Sequence, residues 1–155
     1  MFVYLVIMAL VVIFDQISKI FVLNNFSNSK VVTFIPKIVD IVFVKNTGAA
    51  FSIFSDSTLI LGIVSVIFSV VGVCYLLKTR SKDKLYLSAL SLMIGGAAGN
   101  GIDRIFRHYV IDFIELRFIH FPVFNIADIA VTVGACLLIL DIFLTDRRKN
   151  GTNSN

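Results

Sequence analysis

Four stretches of this chain are long and apolar enough, or nearly so, to cross a lipid bilayer, and that limits the fold more than any other feature. A hydrocarbon core of about 30 Å takes about 20 mostly apolar residues per helix. Residues 2–23, 58–77, 85–103 and 126–144 answer that description. Hydrophobic residues make up 57% of the 155 and charged residues 15%, against about 45–50% and about 25% in soluble domains. A water-soluble globule of this size lacks the interior to hide so much apolar side chain. The same balance excludes intrinsic disorder, which needs low hydrophobicity, and nucleic-acid binding as a main role. The expectation is one integral membrane domain over residues 1–155. It is an all-α membrane protein of four transmembrane helices, with a small strand-rich extracytoplasmic subdomain at about residues 28–57. The first stretch is expected to stay on the protein rather than be cleaved. It has no basic leader and no small-residue cleavage site, and Asp15 and Lys19 interrupt it.

Orientation follows from the cations. The link KTRSKDK, between the second and third spans, puts four Lys/Arg into seven residues, and Arg147, Arg148 and Lys149 follow the fourth span. Four spans put both termini on the side of that link, and the positive-inside rule makes that side cytoplasmic. No Trp is present. Interfacial anchoring therefore falls to Tyr75 and Tyr86 beside the basic link and to Tyr109 at the other face. Outside the spans, residues 31–46 are rich in β-branched and aromatic side chains, with Pro36 as a break, which favours short strands. Residues 106–124 carry another extended-looking stretch, HYVIDFIEL. The final NGTNSN reads as a frayed, solvated end.

A charged group inside a span is costly and needs a reason. At about 1.5 Å of rise per residue, Asp15 lies about 20 Å up from the cytoplasmic side and Lys19 about 26 Å. Asn100, Asp103 and Arg104 close the ascending third span, and Asn125 and Asp128 open the descending fourth. Asn46 and Asp112 lie in the strand-like segments. Nearly all the unusual polar residues therefore gather in the outer third of the membrane or just above it. Asp141 is the exception, near the cytoplasmic end of the fourth span, where its side chain would reach the inner interface.

Asp15 and Lys19 are spaced i,i+4 with the acid first, the favourable order for an ion pair. The pair either neutralises itself toward lipid or faces the interior of the bundle. The run GGAAGNG (95–101) suits close helix packing, which could also bring Asn100 against another element. Asn125 can cap the fourth helix with Asp128 at its third position, where the helix dipole favours a carboxylate. Asp112 stands among apolar neighbours with no cap to make and no adjacent cation, so desolvation should raise its pKa. One acid held ionised and one pushed toward neutrality is the combination that general acid–base chemistry uses. The chain has no HExxH and no pair of His at helical spacing, so neither a metal nor another cofactor is expected. His108 and His120 read as interfacial polar residues. Cys74 and Cys136 lie in apolar runs and read as buried thiols, neither a disulfide nor a nucleophile.

Five short motifs then take on a joint meaning: DQISK (15–19), NTGAAF (46–51), GGAAGNGIDR (95–104), VIDF (110–113) and FNIAD (124–128). In this order, on a four-span chain of this length, they make the sequence resemble the lipoprotein signal peptidases, or signal peptidase II, over essentially its whole length. The resemblance implies an aspartic endopeptidase of the bacterial cytoplasmic membrane, with its active site toward the extracytoplasmic side. Its substrate would be a prolipoprotein already carrying diacylglyceryl on a cysteine, and it would cut on the amino side of that cysteine. The family's catalytic pair maps onto Asp112 and Asp128. Its substrate-binding or supporting residues map onto Asp15, Lys19, Asn46, Gly48, Asn100, Asp103, Arg104 and Asn125. Arg104 would neutralise Asp103 or meet lipid phosphate. The inhibitor globomycin would bind between the aspartates. Membrane lipids would be the remaining partners of a chain expected to be monomeric. Asp141 lies outside the family pattern.

The rival reading is a small proton-coupled transporter. Transport needs polar groups reachable from both faces, with sites near the midplane, whereas here they gather at one face. A non-catalytic assembly partner would account for the packing motif but not for two isolated acids at one depth.

Overall fold

The computed structural model describes residues 1–27, 31–48 and 57–152. Residues 49–51 of the NTGAAF motif lie outside the described residues, as do other parts of the 28–57 segment. Seven elements follow in order: α1 (Phe2–Phe26), β1 (Val32–Ile35), β2 (Val39–Asn46), α2 (Thr58–Lys78), α3 (Lys84–Phe106), β3 (Val110–Leu116) and α4 (Ile126–Thr152). All four helices are long and apolar enough to cross a membrane. Both prolines, Pro36 and Pro122, fall outside them, so no helical ladder loses a donor. Asp83 starts α3 by accepting from the backbone N–H groups of Leu85 and Tyr86, which satisfies two of the donors a helix start leaves open.

The fourth helix runs past its expected span of about 126–144 into the NGTNSN tail, as far as Thr152, so the start of that tail is helical rather than frayed. Adding one residue to an existing helix is cheap, and Gly151 weakens it by only about 1 kcal/mol without ending it. The apolar part of α4 is Ile126–Arg147. Cys74 and Cys136 are exposed on the outer faces of α2 and α4 rather than buried. Within a bilayer the lipid is as apolar as a protein core, so an apolar run does not reveal which of its faces is covered.

The three strands form one antiparallel sheet in the order β1-β2-β3. The strand-rich subdomain is therefore not confined to residues 28–57. Its third strand, β3, comes from beyond α3 and pairs with the second side of β2. Pro36 lies in the turn joining β1 to β2, where Lys37 takes a positive φ of 65°. The sheet is tied to the bundle by a cluster of Val22 from α1 with Ile111 and Phe113 from β3.

Helix α3 is central and packs against α1, α2 and α4. Its glycines allow this. A Cβ on Gly96 would overlap the Ala127 carbonyl oxygen of α4, and one on Gly95 would come within 2.9 Å of the Met8 carbonyl oxygen of α1. The run GGAAGNG is thus a close-packing surface, as its composition suggests. At the end of the bundle away from the sheet, the hydroxyls of Tyr75 and Tyr86 lie 2.8 Å apart and link α2 to α3. Asp141 of α4 acts electrostatically on Tyr86 there.

Candidate active site

Close packing around α3 brings a buried ion cluster together at the sheet end of the bundle. Lys19 is fully buried. Its Nζ donates to Asp15 Oδ2 at 2.8 Å and to Asn100 Oδ1 at 2.8 Å, and it stands 2.9 Å from Asp103 Oδ2. An ammonium has three donors, and here each has a partner. The Asp15–Lys19 pair therefore faces the interior of the bundle and not lipid. Asp15 also caps α4 from a different helix. Its Oδ1 accepts the backbone N–H of Ala127 in the first turn of α4 at 2.9 Å.

Of the two roles expected for Arg104, an ion pair with Asp103 is not the one the structure forms. Arg107 pairs with Asp103 from one turn further on, since positions four apart share a helix face and adjacent ones do not. Arg104 instead donates from Nη2 to the Gly48 carbonyl oxygen at 3.3 Å, and its Nε is buried without a partner among the described residues. Gln16 is a further member that residue-by-residue reading missed. Its amide nitrogen donates to Gly99 O and to Asp103 Oδ1, each at 3.1 Å, and its Oε1 accepts from Arg107 at 2.9 Å. Its place inside DQISK, and the i,i+4 spacing of Arg107 from Asp103, were the available signals.

Above this cluster stand the two aspartates and three asparagines. Asn46 of β2 pairs with Val110 of β3, so Asp112 is its diagonal neighbour on the same face of the sheet. Asn46 Nδ2 donates to Asp112 Oδ2 at 2.8 Å, and Asn125 Nδ2 donates to Asp112 Oδ1 at 2.7 Å. At the start of α4, Asn125 Oδ1 accepts the Asp128 N–H at 2.9 Å while the Asn125 N–H donates to Asp128 Oδ2 at 3.1 Å. This is the reciprocal cap expected from the FNIAD spacing. Asn100 Nδ2 then donates to Asp128 Oδ1 at 2.8 Å. All four carboxylate oxygens of Asp112 and Asp128 are thus hydrogen-bond acceptors, and Asn125 and Asn100 connect one acid to the other.

Asp112 is only 2% exposed. Burial pushes its carboxyl up to about 6, the Asp128 charge adds to the rise, and the Asn46 and Asn125 hydrogen bonds oppose it. Both aspartates open onto one cavity of about 920 Å³, whose walls include Asn46, Asn100, Arg104 and Phe124. Of the residues singled out from sequence, Asp15, Lys19, Asn100, Asp103, Asn125, Asp128, Asp112 and Asn46 form one continuous network. Gly48 and Arg104 border it. Among the described residues no three His, Cys, Asp or Glu come together as metal ligands would.

The family model for "Signal peptidase (SPase) II" matches residues 7–144. This chain belongs to the signal peptidase II family. It is similar to the lipoprotein signal peptidase of Enterococcus faecalis, at 39% identity over 97% of this chain and 96% of that one. The lipoprotein signal peptidase of Lactobacillus johnsonii is 38% identical over 93% and 94%, and that of Clostridium acetobutylicum is 37% identical over 95% and 97%. A solved bacterial membrane enzyme superposes with a TM-score of 0.86 at 30% identity, covering 96% of this chain and 92% of that one. A second superposes with a TM-score of 0.82 at 32% identity, covering 92% and 93%. As a signal peptidase II relative with four apolar helices, the chain is a multi-pass membrane protease, and nothing in these likenesses favours a transporter.

Proposed function

We propose that this chain is an aspartic endopeptidase that removes the signal peptide from diacylglyceryl-modified prolipoproteins, cutting on the amino side of the lipidated cysteine. The observation that carries the reading is the pair of carboxylates on one cavity, Asp112 and Asp128, with every oxygen held by an asparagine donor. The two share one proton and hold a water between them. Asp128, at a helix start that favours negative charge, takes a proton from the water as its oxygen attacks the scissile carbonyl carbon. Asp112, buried and inclined to its neutral form, gives its proton to the carbonyl oxygen. The resulting diol collapses: the C–N bond breaks, the leaving nitrogen takes the proton held by Asp128, and a diol hydroxyl returns the other to Asp112. The products are a free carboxyl on the signal peptide and a free α-amine on the cysteine. Because the acids interact, the pair titrates jointly.

The cation distribution supports cytoplasmic termini and an extracytoplasmic site. Strands β2 and β3 line the cavity with Val44, Asn46, Val110 and Asp112, a wall that suits an extended substrate. Membrane lipids surround a single working copy, and globomycin occupies the cavity between the acids. The test is cleavage of a lipidated precursor in detergent by Asp112→Asn and Asp128→Asn. Each is expected to lose roughly 10²–10⁴-fold in kcat or more. Wild-type turnover in either variant ends the mechanism, and pH-driven uptake into vesicles without cleavage would revive the transporter.

A further inference from the structure

The three asparagine amides at the site are all turned the same way: each NH2 donates to a carboxylate oxygen of Asp112 or Asp128, and each carbonyl oxygen accepts from an N–H donor. The Asn46 oxygen is held by the Gly48 N–H at 3.0 Å, and the Asn125 oxygen by the Asp128 N–H at 2.9 Å. Both anchors are backbone groups within three residues. The Asn100 oxygen is held differently, by Lys19 Nζ at 2.8 Å, a side chain 81 residues earlier on another helix. An ammonium can only donate, so only the oxygen end of the amide can face it. The NH2 end is then left facing Asp128 Oδ1 at 2.8 Å. Asn125 Nδ2, 3.1 Å from the Asn100 oxygen, acts in the same sense.

We propose that Lys19 is a positioning residue for the hydrolytic pair: its ammonium fixes the polarity of the Asn100 amide and so keeps a donor on Asp128. This rests on Asp112 and Asp128 being the reacting pair. If Asn100 turned over, its oxygen would face the Asp128 carboxylate, acceptor against acceptor. A lysine that merely balanced Asp15 and Asp103 would have no such effect on Asn100.

The experiment compares two double variants, Asp15→Asn/Lys19→Met and Asp15→Asn/Lys19→Gln. Both remove one acid and one base, and Asp103 keeps its Arg107 partner. They differ in whether position 19 can donate to Asn100. Cleavage of a lipidated precursor and the melting temperature are measured for each in detergent. The methionine variant is expected to lose about 10- to 100-fold in kcat with KM nearly unchanged, and the glutamine variant to recover most of that loss. Asn100→Asp gives a second reading. It keeps an acceptor for Lys19 but sets a carboxylate oxygen against Asp128 Oδ1, so both kcat and the melting temperature should fall. Equal kcat in the two double variants, or wild-type kcat in Asn100→Asp, overturns the proposal and leaves the proposed function intact. If the methionine variant does not fold, the glutamine variant decides: kcat within about tenfold of wild type supports the proposal, and a loss of about 100-fold or more overturns it. A wild-type enzyme that leaves the precursor uncut overturns the proposed function itself, whatever position 19 does.

Discussion

Helices α2 and α3 are nearly equal in length, at 21 and 23 residues, and both qualify as membrane spans, yet they do opposite work. In its most apolar stretch α2 is 11% buried and α3 is 50% buried. The more apolar helix is the peripheral one. Its Ile60, Val64, Ile67 and Val71 are exposed, turned to the acyl chains. Helix α3, with its run of glycines and its Asn100 and Asp103, is buried among α1, α2 and α4. In water, apolarity predicts burial. In a bilayer the lipid offers no penalty to an apolar side chain, so close contact is won by small residues and satisfied polar groups. The contrast explains why the charged and amide groups of the site gather on α3 and its contacts, while α2 adds Ser65 to the cavity wall.

The hardest way to break this contrast is to put bulk on the buried face of α3. A Cβ at Gly99 would stand 2.6 Å from Asp15 Oδ2. Gly99→Leu should separate Asp15 from Lys19, cost about 3–5 kcal/mol and abolish cleavage, read by thermal unfolding and precursor turnover. Val64→Leu on the exposed face of α2 should stay within about 0.5 kcal/mol of wild type by the same measurements. Equal effects of the two would sink the comparison.

A smaller effect sharpens the electrostatics at the sheet. Asp112 holds its proton to about pH 6 against an ordinary 3.8. The folded state therefore binds that proton more tightly than the unfolded chain does. Its contribution to stability is complete below pH 3.8 and is lost as pH rises through about 6. Asn46 favours the charged form, so Asn46→Ala should move the Asp112-dependent limb of the kcat/KM profile to higher pH. A limb that stays put or moves down contradicts the geometry. The smallest effect concerns Cys74 of α2 and Cys136 of α4. A lipid-soluble thiol reagent should modify both in the folded protein with less than about twofold loss of turnover, the equivalent of about 0.4 kcal/mol. Protection of either until unfolding would place it inside the bundle.

Much of the site was legible because its spacing rules are local. The i,i+4 offset of Asp15 and Lys19, the cap formed by Asn125 and Asp128, and the strand pattern around Asp112 each follow from one element's own periodicity. What failed was reading across elements. Asp103 was one of two partners offered for Arg104, the other being lipid phosphate, yet it is Arg107 that shares the face of Asp103. Gln16 was passed over because a glutamine inside a span carries no charge to account for, although it joins Asp103, Gly99 and Arg107. Cys74 and Cys136 were misplaced because hydropathy does not tell protein from lipid.

The sequence by itself determined the number of spans, the strands, the family and the two candidate acids, since these depend on short-range pattern and on motif order. Only the tertiary structure decided which face of each helix is covered, that Lys19 looks inward, and that three asparagine amides all present their NH2 groups to carboxylates. Those outcomes depend on groups far apart in the chain meeting at hydrogen-bond distance. Inside a bilayer, where apolar burial is nearly neutral, such directional contacts and the close approach allowed by glycine are what select one packing.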